Sequence, residues 1–161
     1  MLKHRGFTLI ELIIVIGIIA LLSTLAVVAL GGARVKARDT RRRAELSQIG
    51  RFFSASSCFL PSNGAGDYDL ADLFTEIKSR YPQASAIRLP TDPKSGSATK
   101  TNYRYLVVSA DQCILYANLE KSDETITIPS VSAPSVGVGT GVLRANSAGV
   151  NGTDIYFQYS K

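Results

Sequence analysis

Glu11 interrupts an otherwise uncharged stretch. Gly6-Phe7-Thr8-Leu9-Ile10 precedes it, and the run from Leu12 to Ala33, LIIVIGIIALLSTLAVVALGGA, follows it. A charged side chain at the centre of a membrane helix costs about 2.5–3.5 kcal/mol on insertion scales, so an acid there is read first as a functional group. Buried among apolar neighbours it needs a partner. Catalysis fits the rest of the chain poorly. The single histidine, His4, lies in the short basic stretch before the apolar run. The two cysteines, Cys58 and Cys113, cannot build a zinc site without histidine or further carboxylates. No glycine-rich stretch has the spacing of a phosphate loop. Arg41-Arg42-Arg43 could grip phosphates, yet an arginine cluster supplies charge without base readout. The stronger reading pairs these arginines with acids on neighbouring subunits or sets them near lipid headgroups, and nucleic acid is the weaker one.

The element that must carry Glu11 is a helix. Leu12 to Ala33 spans ~33 Å at helical rise, enough to cross a bilayer. A segment in lipid must satisfy its backbone groups internally. No proline occurs before Pro61, so the helix continues past the apolar run. Asp39 stands three and four residues before Arg42 and Arg43, and Arg41 stands four before Glu45, spacings that support an exposed helix face. Leu46, Ile49 and Phe53 add an apolar stripe. The pattern predicts one helix from about Phe7 to Ser54, ~72 Å long. Its first half is apolar all round, and its second half is amphipathic and must pack on a sheet. Gly31-Gly32 is its weak point, at ~1 kcal/mol per glycine relative to alanine, or else a place for close packing between subunits.

About 105 residues lie beyond this helix, enough for one small domain. Ser62 to Asp67 reads as loop by composition. Asp69 or Asp67 can cap a short helix carrying Leu70, Leu73, Phe74 and Ile77. Leu89 to Gly96 is a turn cluster. Asn102–Ser109 and Gln112–Leu119 read as strands joined by Ala110-Asp111. Glu124–Pro129 alternates and reads as a third strand. Ser130–Gly152 is low in complexity, either a long surface loop with weak strands or partly disordered. Asp154–Ser160 reads as a last strand returning to the sheet.

The basic leader, Gly6, Phe7 and Glu11 five positions after Gly6 together resemble the type IV pilin superfamily, which includes the pseudopilins of type II secretion. The Pro-Asp-Pro turn at Pro90 to Pro93 and the strands after it are more loosely similar to the major pseudopilin. The resemblance implies an α+β, pilin-like fold: residues 1–6 a leader peptide, 7–33 a transmembrane and assembly helix, 34–54 its amphipathic continuation, 55–161 a globular β-rich head of three or four antiparallel strands. It implies cleavage between Gly6 and Phe7 by a prepilin peptidase and N-methylation of Phe7. Processing would remove His4 and with it any Ser-His-Asp or Cys-His site. It further implies a monomer in the inner or cytoplasmic membrane with its head outside, and then a homo-oligomeric filament built at an assembly platform, with Glu11 directing assembly. Some pseudopilins bind calcium. Asp123 and Glu124, or Asp67, Asp69 and Asp72, are the acids nearest to such a site, but calcium needs six to eight oxygens and no dense acidic loop is visible. No cofactor or metal is therefore expected. Without the motif, the chain would read as a single-pass membrane anchor bearing a small soluble domain.

Charge and cysteines bear on topology in opposite senses. The net charge is +5. Arg34 to Arg51 holds seven cations against Asp39 and Glu45, whereas Phe52 onward holds nine cations against ten acids. Two cations precede the span and these seven follow it, which by the positive-inside rule favours a cytoplasmic head. In an exported domain a cysteine pair reads as a disulfide. A Cys58–Cys113 bridge would stabilise the fold by roughly 4 kcal/mol in the chain-entropy model. The motif and the β-rich, Ser- and Gly-rich tail favour export.

Overall fold

The structure is a computed structural model that describes residues 7–55, 57–83 and 88–161. The leader, with the expected cleavage residue Gly6, lies outside the described residues. The chain divides into two units, Met1–Val35 and Lys36–Lys161, and helix α1, Leu9–Ala55, contributes to both.

In the first unit α1 is apolar on every side. Its Leu, Ile and Val side chains from Leu9 to Leu25, and Leu30, are exposed. A helix hydrophobic all round belongs in a core or a membrane, and this one is long and apolar enough to cross a bilayer. Ser23 and Thr24 return their hydroxyls to the carbonyls of Ile19 and Leu21, so neither leaves a polar group unpaired in lipid.

In the second unit the rest of α1 packs on an antiparallel sheet. The strands are β1 (Gly66–Asp69), β2 (Arg104–Ser109), β3 (Gln112–Asn118), β4 (Gly141–Arg144) and β5 (Ile155–Ser160), with helix α2 (Leu70–Arg80) between β1 and β2. The strand order is β1-β2-β3-β5-β4. Leu46 is fully buried, Ile49 and Phe53 pack beside it, and Phe53 stacks on Tyr105 at 5.1 Å. The apolar stripe on α1 is thus the contact with the sheet. Leu70 and Leu73 of α2 enter the same core. Asp69 caps α2 by accepting from Ala71 N.

Several expectations need correction. The sheet has five strands rather than three or four. Gly66 and Asp67, read as loop, belong to β1, which pairs along the free edge of β2 from Gly66↔Val107 to Asp69↔Arg104. Its Gly-Asp composition conceals a strand made by that edge. Glu124–Pro129 is not a strand. The N–H groups of Thr127 and Ile128 both reach the Val142 carbonyl at 2.9 Å, while Thr127 Oγ1 accepts from Val142 N at 2.8 Å. Two donors on one carbonyl are incompatible with a regular ladder. Within Ser130–Gly152, β4 forms and the segment before it lies over β5. There the buried Gln158 side chain donates to the carbonyls of Ser135 and Gly139 and accepts from Ser135 N. A single buried amide organises sequence that reads as low complexity.

Candidate functional site at the start of the long helix

Helix α1 begins with a reciprocal cap. Thr8 precedes the first helical residue, and Glu11 stands three positions on. The Thr8 hydroxyl accepts from Glu11 N at 3.3 Å. In return Glu11 Oε2 accepts from Thr8 N at 2.8 Å and from the Thr8 hydroxyl at 2.7 Å. This is the capping box, which satisfies two of the four donors left over at a helix start. It also fixes the Glu11 rotamer. Oε2 is occupied, whereas Oε1 accepts nothing among the described residues. Phe7, immediately before, is 84% exposed. A negative charge in the first turn is also favoured by the helix dipole. The geometry therefore presents a positioned carboxylate with one oxygen open, flanked by an apolar surface.

Each arginine of the triplet has an acidic partner within its own head. Arg42 is fully buried. It reaches Asp39 at 2.6 Å, Asp92 at 2.7 and 2.8 Å, and Glu120 at 2.7 Å. Arg38 binds Glu120 through two bonds of 2.7 Å. Arg41 pairs with Glu45 at 2.8 Å and Arg43 with Glu124 at 2.6 Å. Asp39 also receives Glu120 N and Lys121 N, both at 2.9 Å, so the exit of β3 is fastened to α1. Burial alone would raise the Asp92 carboxyl. The Arg42 guanidinium, Ser95 N, the Asn151 amide and Lys94 N outweigh it and hold that carboxyl far below its usual range. The Arg38 hydrogen bonds, opposed by burial and joined by Arg42, bring Glu120 from 4.5 down to about 2. Sequence spacing exposed the Asp39–Arg42 and Arg41–Glu45 pairs. It gave no sign of Asp92 or Glu120, which arrive from distant loops.

Cys58 and Cys113 are joined in a disulfide with Cα atoms 6.0 Å apart, tying the chain just past α1 to β3. Four of the five acids considered for calcium, all but Asp72, are engaged by protein donors. Asp69 takes Ala71 N, Thr101 N, the Thr101 hydroxyl and Asn102 N. Asp67 faces Arg104 and Tyr116. Asp123 pairs with Lys121 and Glu124 with Arg43. Among the described residues no three His, Cys, Asp or Glu side chains stand together as metal ligands.

No curated protein and no solved structure matches the chain. Residues 1–30 match the family model for the prokaryotic N-terminal methylation motif. With the long apolar helix and the antiparallel sheet it leads into, that match gives the chain the prepilin-type signal that is the hallmark of type IV pilins and pseudopilins.

Proposed function

We propose that the chain is a structural subunit, not an enzyme, of a type IV pilus or related pseudopilus. A prepilin peptidase cuts between Gly6 and Phe7 and the new amine of Phe7 is methylated. The subunit waits as a single-pass membrane protein with its head outside, and an assembly platform draws it into a helical filament. The observation that carries this reading is the methylation motif over residues 1–30, whose one acid has an open carboxylate oxygen.

The physics of assembly divides between two parts of α1. Within the bilayer, lipid tails are as apolar as leucine, so the hydrophobic effect gives the helices no reason to associate. A charge pair does. Glu11 Oε1 meeting the methylated amine of an adjacent subunit satisfies two charges that lipid disfavours, and it sets the axial register. Once the helices leave lipid the balance changes. Each Leu or Ile side chain buried against a neighbour instead of facing water contributes about 1.5–3 kcal/mol, and the filament coheres.

The test compares Glu11→Ala with the native chain at equal membrane abundance, with the mass of the mature subunit measured in both. The native subunit should lack its first six residues and carry one added methyl group. The alanine variant should keep a folded head and give at least about tenfold fewer sheared filaments, a loss worth ~1.4 kcal/mol or more. An intact leader in the native chain, or undiminished filaments from Glu11→Ala, overturns the reading.

A further inference from the structure

On the face of the sheet away from α1 lies an open groove of about 350 Å³, within the range of small-ligand sites. Two rings form its floor. Tyr116 and Tyr156 stand on adjacent strands with centroids 6.2 Å apart, tilted by 58°. The Tyr116 ring is held from behind, because its hydroxyl donates to Asp67 Oδ2 at 2.6 Å. Arg104 is held by the same residue, with Nε 3.2 Å from Asp67 Oδ1 and Nη2 3.0 Å from the Asp67 carbonyl. The turn at Gly149 forms one wall. A Cβ at Gly149 would run into the Tyr156 hydroxyl and the Asn118 side chain, so only glycine lets this wall approach so closely. Val150, 60% exposed, forms the rim above it. A floor fixed in advance lowers the ordering cost of binding.

Most polar groups around these rings are tied down internally, and three polar atoms of both kinds stay open. The Tyr156 hydroxyl, Asn102 Oδ1 and Lys100 Nζ have no hydrogen-bond or ion-pair partner among the described residues. The charges at the groove are close to balanced: Lys100 and Arg104 stand against Asp69 in the lining, and Arg104 is already paired with Asp67 behind it. A single-stranded nucleic acid requires a positively charged groove along its backbone as well as stacking rings, and that excess is missing. A proline-rich segment docks in aromatic-lined grooves, but it lacks backbone donors for the acceptors at this rim. A sugar ring matches both features. One of its faces is a patch of C–H groups that lies on an aromatic ring, and its edge carries hydroxyls that donate and accept. We infer that this groove is a binding site for a neutral saccharide, carried on the head and independent of the helix that assembles the filament.

The experiment titrates the full-length chain, solubilised in detergent, with glucose, galactose, mannose, N-acetylglucosamine and N-acetylgalactosamine. Oligothymidylate and oligoproline serve as competing classes, and tyrosine fluorescence and calorimetry are the readouts. At least one sugar should bind. Tyr156→Ser, which removes half of the floor, should weaken it tenfold or more. Val150→Asp, a change at an exposed rim position that leaves the core untouched, should weaken it severalfold with an unchanged melting temperature. Filament yield should be the same in both variants. The inference is overturned if no sugar in the panel binds at millimolar concentration. It is equally overturned if Val150→Asp and Tyr156→Ser bind as the native chain does, or if oligothymidylate or oligoproline binds in place of sugar.

Discussion

Arg42 and Glu11 solve opposite forms of one electrostatic problem. Arg42 is a buried cation whose every neighbour is already in place, so its charge is compensated inside the head. Replacing one partner of such a buried group leaves the others uncompensated and typically costs about 3–5 kcal/mol. Arg42→Ala strips the buried counter-charge from Asp39 and Asp92 and one of the two arginines from Glu120, and denaturant unfolding should show a loss of that size. Arg42→Lys should not rescue it, because one ammonium cannot make the forked contacts to Asp92. The pH dependence has a definite sign. Glu120 titrates at about 2 when folded against 4.5 ordinarily, and Asp92 is lowered as well. A group lowered on folding contributes stability above its unfolded value and loses it as pH falls through the folded one. The unfolding midpoint should be flat above about pH 5 and fall between about pH 4.5 and 2. The Arg42→Ala chain should show a shallower fall, since Asp92 loses the guanidinium that lowered it while Glu120 keeps its two bonds to Arg38. An equally steep fall in that variant would assign the acid sensitivity to other carboxylates.

At the scale of elements, what could be read from the sequence follows the range of the forces involved. The helix over Leu9–Ala55, its apolar first part and its Leu46, Ile49, Phe53 stripe are periodic and local, so they are legible. So are β2, β3, β5, α2 and the cap at Asp69. The features that escaped are those made by a distant partner. β1 is a strand because β2 offers an edge, and Glu124–Pro129 fails as a strand because Val142 supplies one carbonyl to two donors. The segment before β4 is ordered by Gln158, and Arg42 reads as a surface cation until Asp92 and Glu120 close over it. Helix and sheet also meet at a point that periodicity does not reveal. At Gly50 a Cβ would strike the ring of Tyr159 on β5. Overpacking of a filled contact costs typically 1–3 kcal/mol, more than the ~1 kcal/mol that alanine gains in a helix interior. Gly50→Ala should therefore lower the thermal midpoint of the head. A raised midpoint would show that Tyr159 swings aside at little cost.

For the whole molecule the question is on which side of the membrane the head folds, and two physical signals disagree. The seven cations from Arg34 to Arg51 act on the unfolded chain during insertion, where the positive-inside rule would retain them in the cytoplasm. In the folded head Arg38, Arg41, Arg42 and Arg43 are consumed by acids of the same chain. Folding thus accounts for four of the seven cations, which weakens them as a signal of topology. The Cys58–Cys113 bridge depends on compartment, because cytosolic thiols are kept reduced whereas exported ones are oxidised. Both sulfur-bearing residues are buried, so the bridge is protected once formed, and by closing a long loop it stabilises the head by roughly 4 kcal/mol in the chain-entropy account. The expected result is that protein taken from cells, denatured without reductant, takes up no alkylating reagent, and takes up two equivalents after reduction. The same protein made without its first 33 residues, and so confined to the cytosol, should react at both cysteines without added reductant. Two free thiols in the membrane-bound full-length chain would place the head in the cytoplasm. The filament reading would then fail at its first step, because a subunit whose head stays inside cannot be drawn outward.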